Sequence, residues 1–386
     1  LLFFERFVPE RVWMRLRPDA IAVWDDERVR RALSWYRRVM LDEAPAKFLL
    51  AKLVEMPEDP SRLDTGALME ERERLAKEHR VLFEKARRGR YSLEDYRRDA
   101  RGAPRWSLLS VDAVLAWRLA SPCVLCERRC RIDRRRRIGA CRLDIRTYVH
   151  SWFHHLGEEA PLVPSGTIFY GGCNFSCVYC QNYDISQTAP RAGEVVDAKR
   201  LAEMQRLLRL HGARNINHVG GEPTPSMHTI IESLLYLEVN VPQLWNSNMY
   251  MSLEALKILS DVIDIWLPDF KYGNNRCALR LSAAPRYLET VTRNLRLAVE
   301  TGDMIIRHLV LPGHVECCSI PVLRWIAENL PRDRVLVNIM DQYRPEHLVA
   351  RYPRRWPELA RRPSLEEIEA VRAEADRLGI VYEPVS

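Results

Sequence analysis

The sequence predicts an α/β protein: a partial, TIM-like open (β/α)6 barrel, preceded by a mostly helical N-terminal region and a small four-cysteine metal-binding segment. Three observations carry this expectation. From residue 165 onward strand-like and helix-like stretches alternate six times in about 180 residues. Repeated strand–helix units imply parallel strands with outer helices, and a closed eight-fold barrel typically takes about 250 residues, so six units stay open. Polar, chemistry-bearing residues also gather at or just after the C-terminal ends of the strands, the rim where parallel α/β folds bind ligands. A doubly wound sheet is the competing architecture, but no dinucleotide-type glycine fingerprint supports it.

Taken in order, residues 1–120 read as helical. In "DTGALMEERERLAKEHRVLFEKARRG" Leu68, Leu75, Leu82 and Phe83 recur at helical spacing, with Gly89 as the stop. "SVDAVLAWRLA" predicts a second helix, capped at Ser110 and ended before Pro122. No catalytic motif or repeat falls here, and the region's role stays unassigned. Residues 121–146 hold the four-cysteine segment, 147–345 the barrel, and 346–386 a C-terminal helix and terminal segment. Barrel strands are expected at 166–172, 215–221, 242–247, 264–270, 304–311 and 334–340. Helices are expected at 197–211, 226–237, 252–260, 286–301 and 319–330.

Composition bounds the chemistry. With 386 residues, 47% hydrophobic and 29% charged, the chain can form a large core as a soluble globular protein. No apolar run approaches the roughly 18 residues of a membrane span, and "LLFFERFVPE" meets charge after four apolar residues. A cytoplasmic location is expected. Ten cysteines without an export signal are then reduced thiols, metal ligands or redox groups. Residues 1–146 hold 34 Lys+Arg against 24 Asp+Glu, and the remainder 25 against 28. The basic excess centres on "CERRCRIDRRRRIGACR". Such a patch could attract nucleic acid or an acidic protein, but a solvated, ion-paired face is the preferred reading.

Seven cysteines form two tight sets. "YGGCNFSCVYCQN" places Cys173, Cys177 and Cys180 on one loop after the first barrel strand, in a C-x3-C-x2-C spacing. Each iron of a cubane [4Fe–4S] cluster takes one outside ligand, so three thiolates leave one iron open. Zinc with three thiols and a water is the alternative; zinc loops usually pair cysteines from separate segments, which favours iron–sulfur here. Cys123, Cys126, Cys130 and Cys141 follow C-x2-C-x3-C-x10-C, which satisfies a closed tetrathiolate site, either zinc or a second [4Fe–4S] cluster. Cys277, Cys317 and Cys318 read as small buried hydrophobes.

The three-cysteine loop resembles the signature of the radical S-adenosylmethionine (SAM) superfamily, C-x3-C-x-aromatic-C. "HVGGEPTP", with Gly220, Gly221 and Glu222, resembles that family's second mark at the end of strand two. Two glycines let backbone approach a ligand closely. The resemblance implies that SAM chelates the open iron and is cleaved reductively, giving a 5′-deoxyadenosyl radical that abstracts hydrogen from substrate. Within the superfamily the chain looks like relatives of the pyruvate formate-lyase activating enzyme, in an uncharacterised branch. "WNSNMY", "LPDFKYG" and "IIRHLVLPGHVE" are similar to their later strand segments. By that likeness Asn246, Asn248, Asp269, Lys271 and Arg307 would face SAM or its neighbourhood. Asn246 stands where those enzymes tend to carry aspartate. Strand alternation puts Arg307 and His308 on opposite faces, so at most one points into the barrel; the resemblance implies that it is Arg307, and His218 reads as structural.

The expected function is therefore an activating-enzyme-like oxidoreductase that makes a radical on a substrate, in the leading version a protein. RNA as substrate, through Arg134–Arg137, and a non-catalytic metal scaffold are the alternatives. Ferredoxin or flavodoxin is the electron donor the resemblance implies.

Overall fold

The computed structural model describes residues 6–386; residues 1–5, part of the stretch read above for a missing signal sequence, lie outside the described residues. Eight strands form one sheet: β1 Thr147–His155, β2 Ser165–Tyr170, β3 Glu194–Val196, β4 Ile216–Gly220, β5 Gln243–Ser247, β6 Ile265–Pro268, β7 Asp303–Leu309 and β8 Val335–Met340. Their order is β3-β1-β2-β4-β5-β6-β7-β8. The six strands β2, β4, β5, β6, β7 and β8 pair in parallel, as the repeated units require, and the sheet does not close. β1 and β3 are antiparallel additions at one edge that the sequence did not reveal.

Nine described helices run eight residues or more: α1 Thr65–Arg87, α2 Leu108–Ala120, α3 Ala198–Leu210, α4 Met227–Tyr236, α5 Leu253–Ser260, α6 Asn275–Ser282, α7 Tyr287–Ala298, α8 Ile320–Asn329 and α9 Leu365–Leu378. The helix expected at 286–301 is α7; α6 before it was not anticipated. Asp64 starts α1 by accepting from the amides of Gly66 and Ala67 at 2.8 and 3.0 Å. Leu68, Leu75 and Phe83 of α1 are buried, while Leu82 packs against the core from its edge. The cap of α2 is Ser107, not Ser110. Ser110 sits three residues in, where its hydroxyl accepts from the Ser107 amide at 3.2 Å, the reciprocal arm of a capping box.

One apolar core runs from Phe7 to Tyr382, so the N-terminal helices and the barrel are packed as one body. A second cluster fills the barrel interior near the strand starts. There Val29, Leu33 and Tyr36 meet Leu244, Ile265, Leu267, Ile305 and Leu336, with Leu162 and Val385. Each such side chain contributes about 1.5–3 kcal/mol when fully buried. Polar bonds fix the register of this floor. Trp35 Nε1 donates to Asp264 Oδ1 at 2.9 Å, and the Tyr36 amide donates to Asp303 Oδ2 at 2.8 Å. The role left open for this region is thus structural in part: it stoppers the lower mouth of the barrel, opposite the cysteine-bearing rim. No described helix is long and apolar enough to cross a membrane.

Candidate functional site

The loop after β2 is anchored through its backbone, which leaves the thiols free to converge. The Ser176 and Val178 amides donate to the carbonyls of Ser282 and Leu281 at 3.0 and 2.9 Å, so the loop rests on the C-terminal turn of α6. The Cys173 amide donates to the Cys141 carbonyl at 3.3 Å. Cys173 is buried, while Cys177 and Cys180 are intermediate. Ser282 Oγ donates to Cys177 Sγ at 2.9 Å, and Asn248 Nδ2 lies 3.9 Å from Cys173 Sγ. Burial pushes the Cys177 thiol up to about 11, with the neighbouring Cys180 adding to the shift and Lys271 opposing it. Tyr179, the aromatic of the signature, donates to or accepts from Tyr272 OH at 2.6 Å.

The glycine pair ends β4 directly beneath this loop. Gly220 has φ of +116°, and a Cβ there would run into the Tyr170 backbone; a Cβ on Gly221 would overlap the Gly172 carbonyl. Only glycine permits that approach. Glu222 is buried, and burial raises its carboxyl above the usual range. Its Oε1 accepts from the Thr224 and Ser247 hydroxyls at 2.5 and 2.7 Å, and its Oε2 from the Asn248 amide at 3.0 Å. The carboxylate therefore ties the end of β4 to the end of β5. Asn248 Nδ2 donates to Asn174 Oδ1 at 2.7 Å, and Asn246 Nδ2 is buried with no protein partner.

On β6 and β7 the expected polar residues meet as well. Lys271 Nζ donates to Asp269 Oδ2 at 2.7 Å. Burial works against the ammonium of Lys271, but Asp269 and the Cys177 sulfur hold it above its ordinary value. Arg307 lies inside the barrel, bonded by Glu159 Oε1 and Oε2 at 2.6 and 2.7 Å and also by Glu158. Asn338 Nδ2 and Asn217 Nδ2 complete those carboxylates at 2.7 and 3.0 Å. Its charge is thus matched by two acids that sequence reading did not single out. His308 faces the other way, between the Phe270 carbonyl and Ser319 Oγ, both at 2.8 Å. His218 bridges Tyr170 OH and Gln243 Oε1 at 2.8 and 2.9 Å, and burial lowers it to about 4. It is structural, as expected.

The four-cysteine segment corrects the reading of its arginines. Arg134 is fully buried; it donates to the Pro225 carbonyl at 2.7 Å and to the Asp144 carbonyl at 2.6 Å. Arg128 reaches the Asn174 carbonyl at 2.8 Å, Arg142 reaches Ser176 Oγ at 2.7 Å, and Arg129 clasps Glu254 at 2.9 and 3.1 Å. These side chains fasten the segment to the barrel rim rather than forming a solvated face or a nucleic-acid patch. Arg135, Arg136 and Arg137 alone of the RRRR run are exposed. Cys123 and Cys126 flank a tight turn, with the Arg131 amide on the Cys123 carbonyl at 2.8 Å and the Arg129 amide on that of Cys126 at 2.9 Å. Cys123, Cys126 and Cys141 are buried, and Cys130 is intermediate.

Three thiols read as unrelated hydrophobes are instead together. Cys277, Cys317 and Cys318 converge with His314, all ligand atoms within 4.8 Å of one another, and Cys317 is exposed. The three cysteines and His314 are spread over some 40 residues without a C-x2-C pair, so no sequence spacing announces them. Among the described residues, neither other cysteine set draws three sulfurs that close.

The family model of the Radical SAM superfamily matches residues 167–326, from within β2 to within α8. The chain also shares 38% identity over 358 residues with the uncharacterized protein MJ0674 of Methanocaldococcus jannaschii, covering 91% of this chain and 99% of that protein. This chain belongs to the radical SAM superfamily, in one family with that archaeal protein. The shared length takes in most of the N-terminal helices as well as the radical SAM barrel. Among solved structures, Streptococcus suis SuiB bound to precursor peptide SuiA aligns at TM-score 0.39 and 13% identity, covering 54% of this chain and 45% of SuiB. TYW1 with a lysine-pyruvate adduct bound aligns at TM-score 0.35 and 12% identity, covering 54% of this chain and 73% of that one. The chain therefore spans just under half the length of SuiB.

Membership of the radical SAM superfamily implies a [4Fe–4S] cluster and SAM as cofactors. The residues present fit both. Three thiols on one loop, Cys173 buried and Cys177 and Cys180 half-buried, suit a cubane, whose thiolates each take a different iron. The glycine cradle and the orphaned Asn246 amide lie at the rim beside them.

Proposed function

We propose that this radical SAM enzyme holds its [4Fe–4S] cluster on Cys173, Cys177 and Cys180, and that Gly220, Gly221, Asn246 and Asn248 line the SAM position. The reading rests on one juxtaposition: three thiols on a rim loop directly above a glycine pair that admits no side chain. When bound, the two cofactors supply reductive cleavage of SAM and a carbon radical able to take hydrogen from an unactivated C–H bond. The chain's own residues position and shield that chemistry. Glu222 locks the β4 and β5 ends, Asp269 and Lys271 place a paired charge by Cys177, and Arg307, bonded to both Glu158 and Glu159, holds an ion-paired polar cluster in the interior.

For Cys123, Cys126, Cys130 and Cys141 the occupant we favour is a second iron–sulfur cluster rather than a single zinc ion, because the segment abuts the Cys173 loop. Its backbone contact with the Cys173 loop suits electron delivery from a ferredoxin or flavodoxin.

The substrate reading is a protein, as for an activating-enzyme-like oxidoreductase. Cys180 is only half-buried, and Gln181 to Asp184 beyond it are exposed, so the cluster loop lies at the surface. Two sizeable cavities, about 640 and about 580 Å³, are lined mostly by other residues; the first meets the site region through Arg307, its two acids and Asn338. A shallow centre needs a large partner to cover it and exclude water. Anaerobic reconstitution followed by EPR with and without SAM tests the cluster; a Cys177→Ala protein that keeps the SAM-shifted signal overturns the ligand set. Cell extract that stimulates 5′-deoxyadenosine release in a protease-sensitive, RNase-resistant way supports a protein substrate, and RNase sensitivity overturns it.

A further inference from the structure

We propose that Cys277, His314, Cys317 and Cys318 form a closed mononuclear zinc site that joins the first turn of α6 to the segment after β7. The argument is geometric. Tetrahedral zinc with Zn–S of about 2.3 Å and Zn–N of about 2.0–2.1 Å sets ligand edges of about 3.8 Å between sulfurs and about 3.6 Å from sulfur to nitrogen. Here Cys277 and Cys317 sulfurs lie 3.9 Å apart, as do those of Cys317 and Cys318. His314 Nδ1 stands 3.6, 3.3 and 3.9 Å from the sulfurs of Cys277, Cys317 and Cys318. Five edges of the tetrahedron are thus set within about 0.3 Å of what the ion needs. A disulfide would need about 2.05 Å, and a cubane would drive the sulfurs apart onto separate irons.

The surroundings are those of a metal site. All three sulfurs surround one imidazole nitrogen, Nδ1, which as a free acceptor could satisfy only one thiol proton. The other ring nitrogen, Nε2, faces the Glu358 carboxylate at 3.8 Å, an electrostatic contact longer than a hydrogen bond. Arg280 pairs with Glu358 and lies 3.4 Å from Nε2, where it balances the net negative charge of three thiolates on one dication. Asn274 Nδ2 donates to the Cys317 carbonyl at 2.7 Å and approaches Cys318 Sγ at 3.8 Å, while its Oδ1 caps α6 through the Cys277 amide at 2.8 Å. Cys317 and Cys318 are adjacent in sequence; the π-helical turn Val315–Ser319 aims both at one point. Four protein ligands leave no open position, so the role is structural. Binding displaces thiol protons to solvent and requires no oxidant.

The position gives the site its consequence. α6 carries the zinc ligand Cys277 in its first turn and ends at Ser282, whose hydroxyl and carbonyl hold the Cys173–Cys180 loop. Zinc would therefore set one end of the shelf under the proposed iron–sulfur cluster. The test is anomalous diffraction at the zinc and iron edges on crystals of the unmodified full chain, prepared anaerobically without chelator, with zinc and iron counted in the same batch. The expected result is a zinc-edge peak bonded to all four side chains, and loss of about one zinc per chain in Cys317→Ser and His314→Ala but not in Cys130→Ser. No zinc-edge peak among these residues, or an iron-edge peak there, overturns the proposal however the variants fold. Iron at Cys173, Cys177 and Cys180 is read separately, so this site and the cluster assignment can fail independently.

Discussion

Ser282 Oγ donates a hydrogen bond of 2.9 Å to Cys177 Sγ, joining the last turn of α6 to the middle cysteine of the signature loop. The same hydroxyl takes a 2.5 Å bond from Tyr272 OH, so it is oriented from both sides. A hydrogen bond to a cluster thiolate favours the reduced, more negative state. Ser282→Ala is expected to make the cluster potential more negative by on the order of tens of millivolts, with iron content unchanged; EPR-monitored redox titration reads this.

Gly221→Ala places a methyl group against the Gly172 carbonyl. Backbone cannot yield as a flexible side chain can, so overpacking should cost about 1–3 kcal/mol and spoil the approach to SAM. Thermal melting and SAM titration by calorimetry are the measurements. Gly212→Ala is the comparison: its φ of +106° brings backbone strain, but nothing lies within 4 Å of the added methyl, so SAM affinity should hold.

Arg134→Met leaves the carbonyls of Asp144 and Pro225 without their donors, in a place water does not reach. Each abandoned acceptor costs about 1–3 kcal/mol, so a loss on the order of 3 kcal/mol is expected in denaturant unfolding. Arg136→Ala, on a side chain 87% exposed, should change stability by less than about 0.5 kcal/mol.

Asp303 holds the Tyr36 amide at 2.8 Å, and burial pushes its carboxyl up to about 7 from an unfolded value of 3.8. The folded state therefore binds the proton more tightly. This contribution to stability is complete below about pH 4, declines as pH rises, and is gone above about pH 7. Asp303→Asn keeps an acceptor for Tyr36 and should flatten the stability profile between those limits, measured by denaturation at several pH values.

Much of this architecture was legible because it is local. That Arg307 and His308 of β7 face opposite ways follows from alternation, and the loop-borne thiols follow from their spacing. β1 was not legible: "TYVHSWFHH" mixes a threonine, a serine and three histidines with aromatics, and its pairing with β2 is decided by tertiary contact. Glu158 and Glu159 gain their meaning only from Arg307, nearly 150 residues away. Arg134 looked like its three exposed neighbours in the RRRR run until the fold placed it beneath Pro225. The Cys277–His314–Cys317–Cys318 group escaped for the same reason, since two loops from different strands bring it together.

The grip of Arg134 on Pro225 has a mechanical corollary. It connects the four-cysteine segment to a residue three places beyond Glu222. If the four cysteines hold a metal as proposed, its loss to oxygen would disturb the glycine-bearing turn beyond β4, and loss of SAM affinity would report injury at cysteines outside the proposed SAM position.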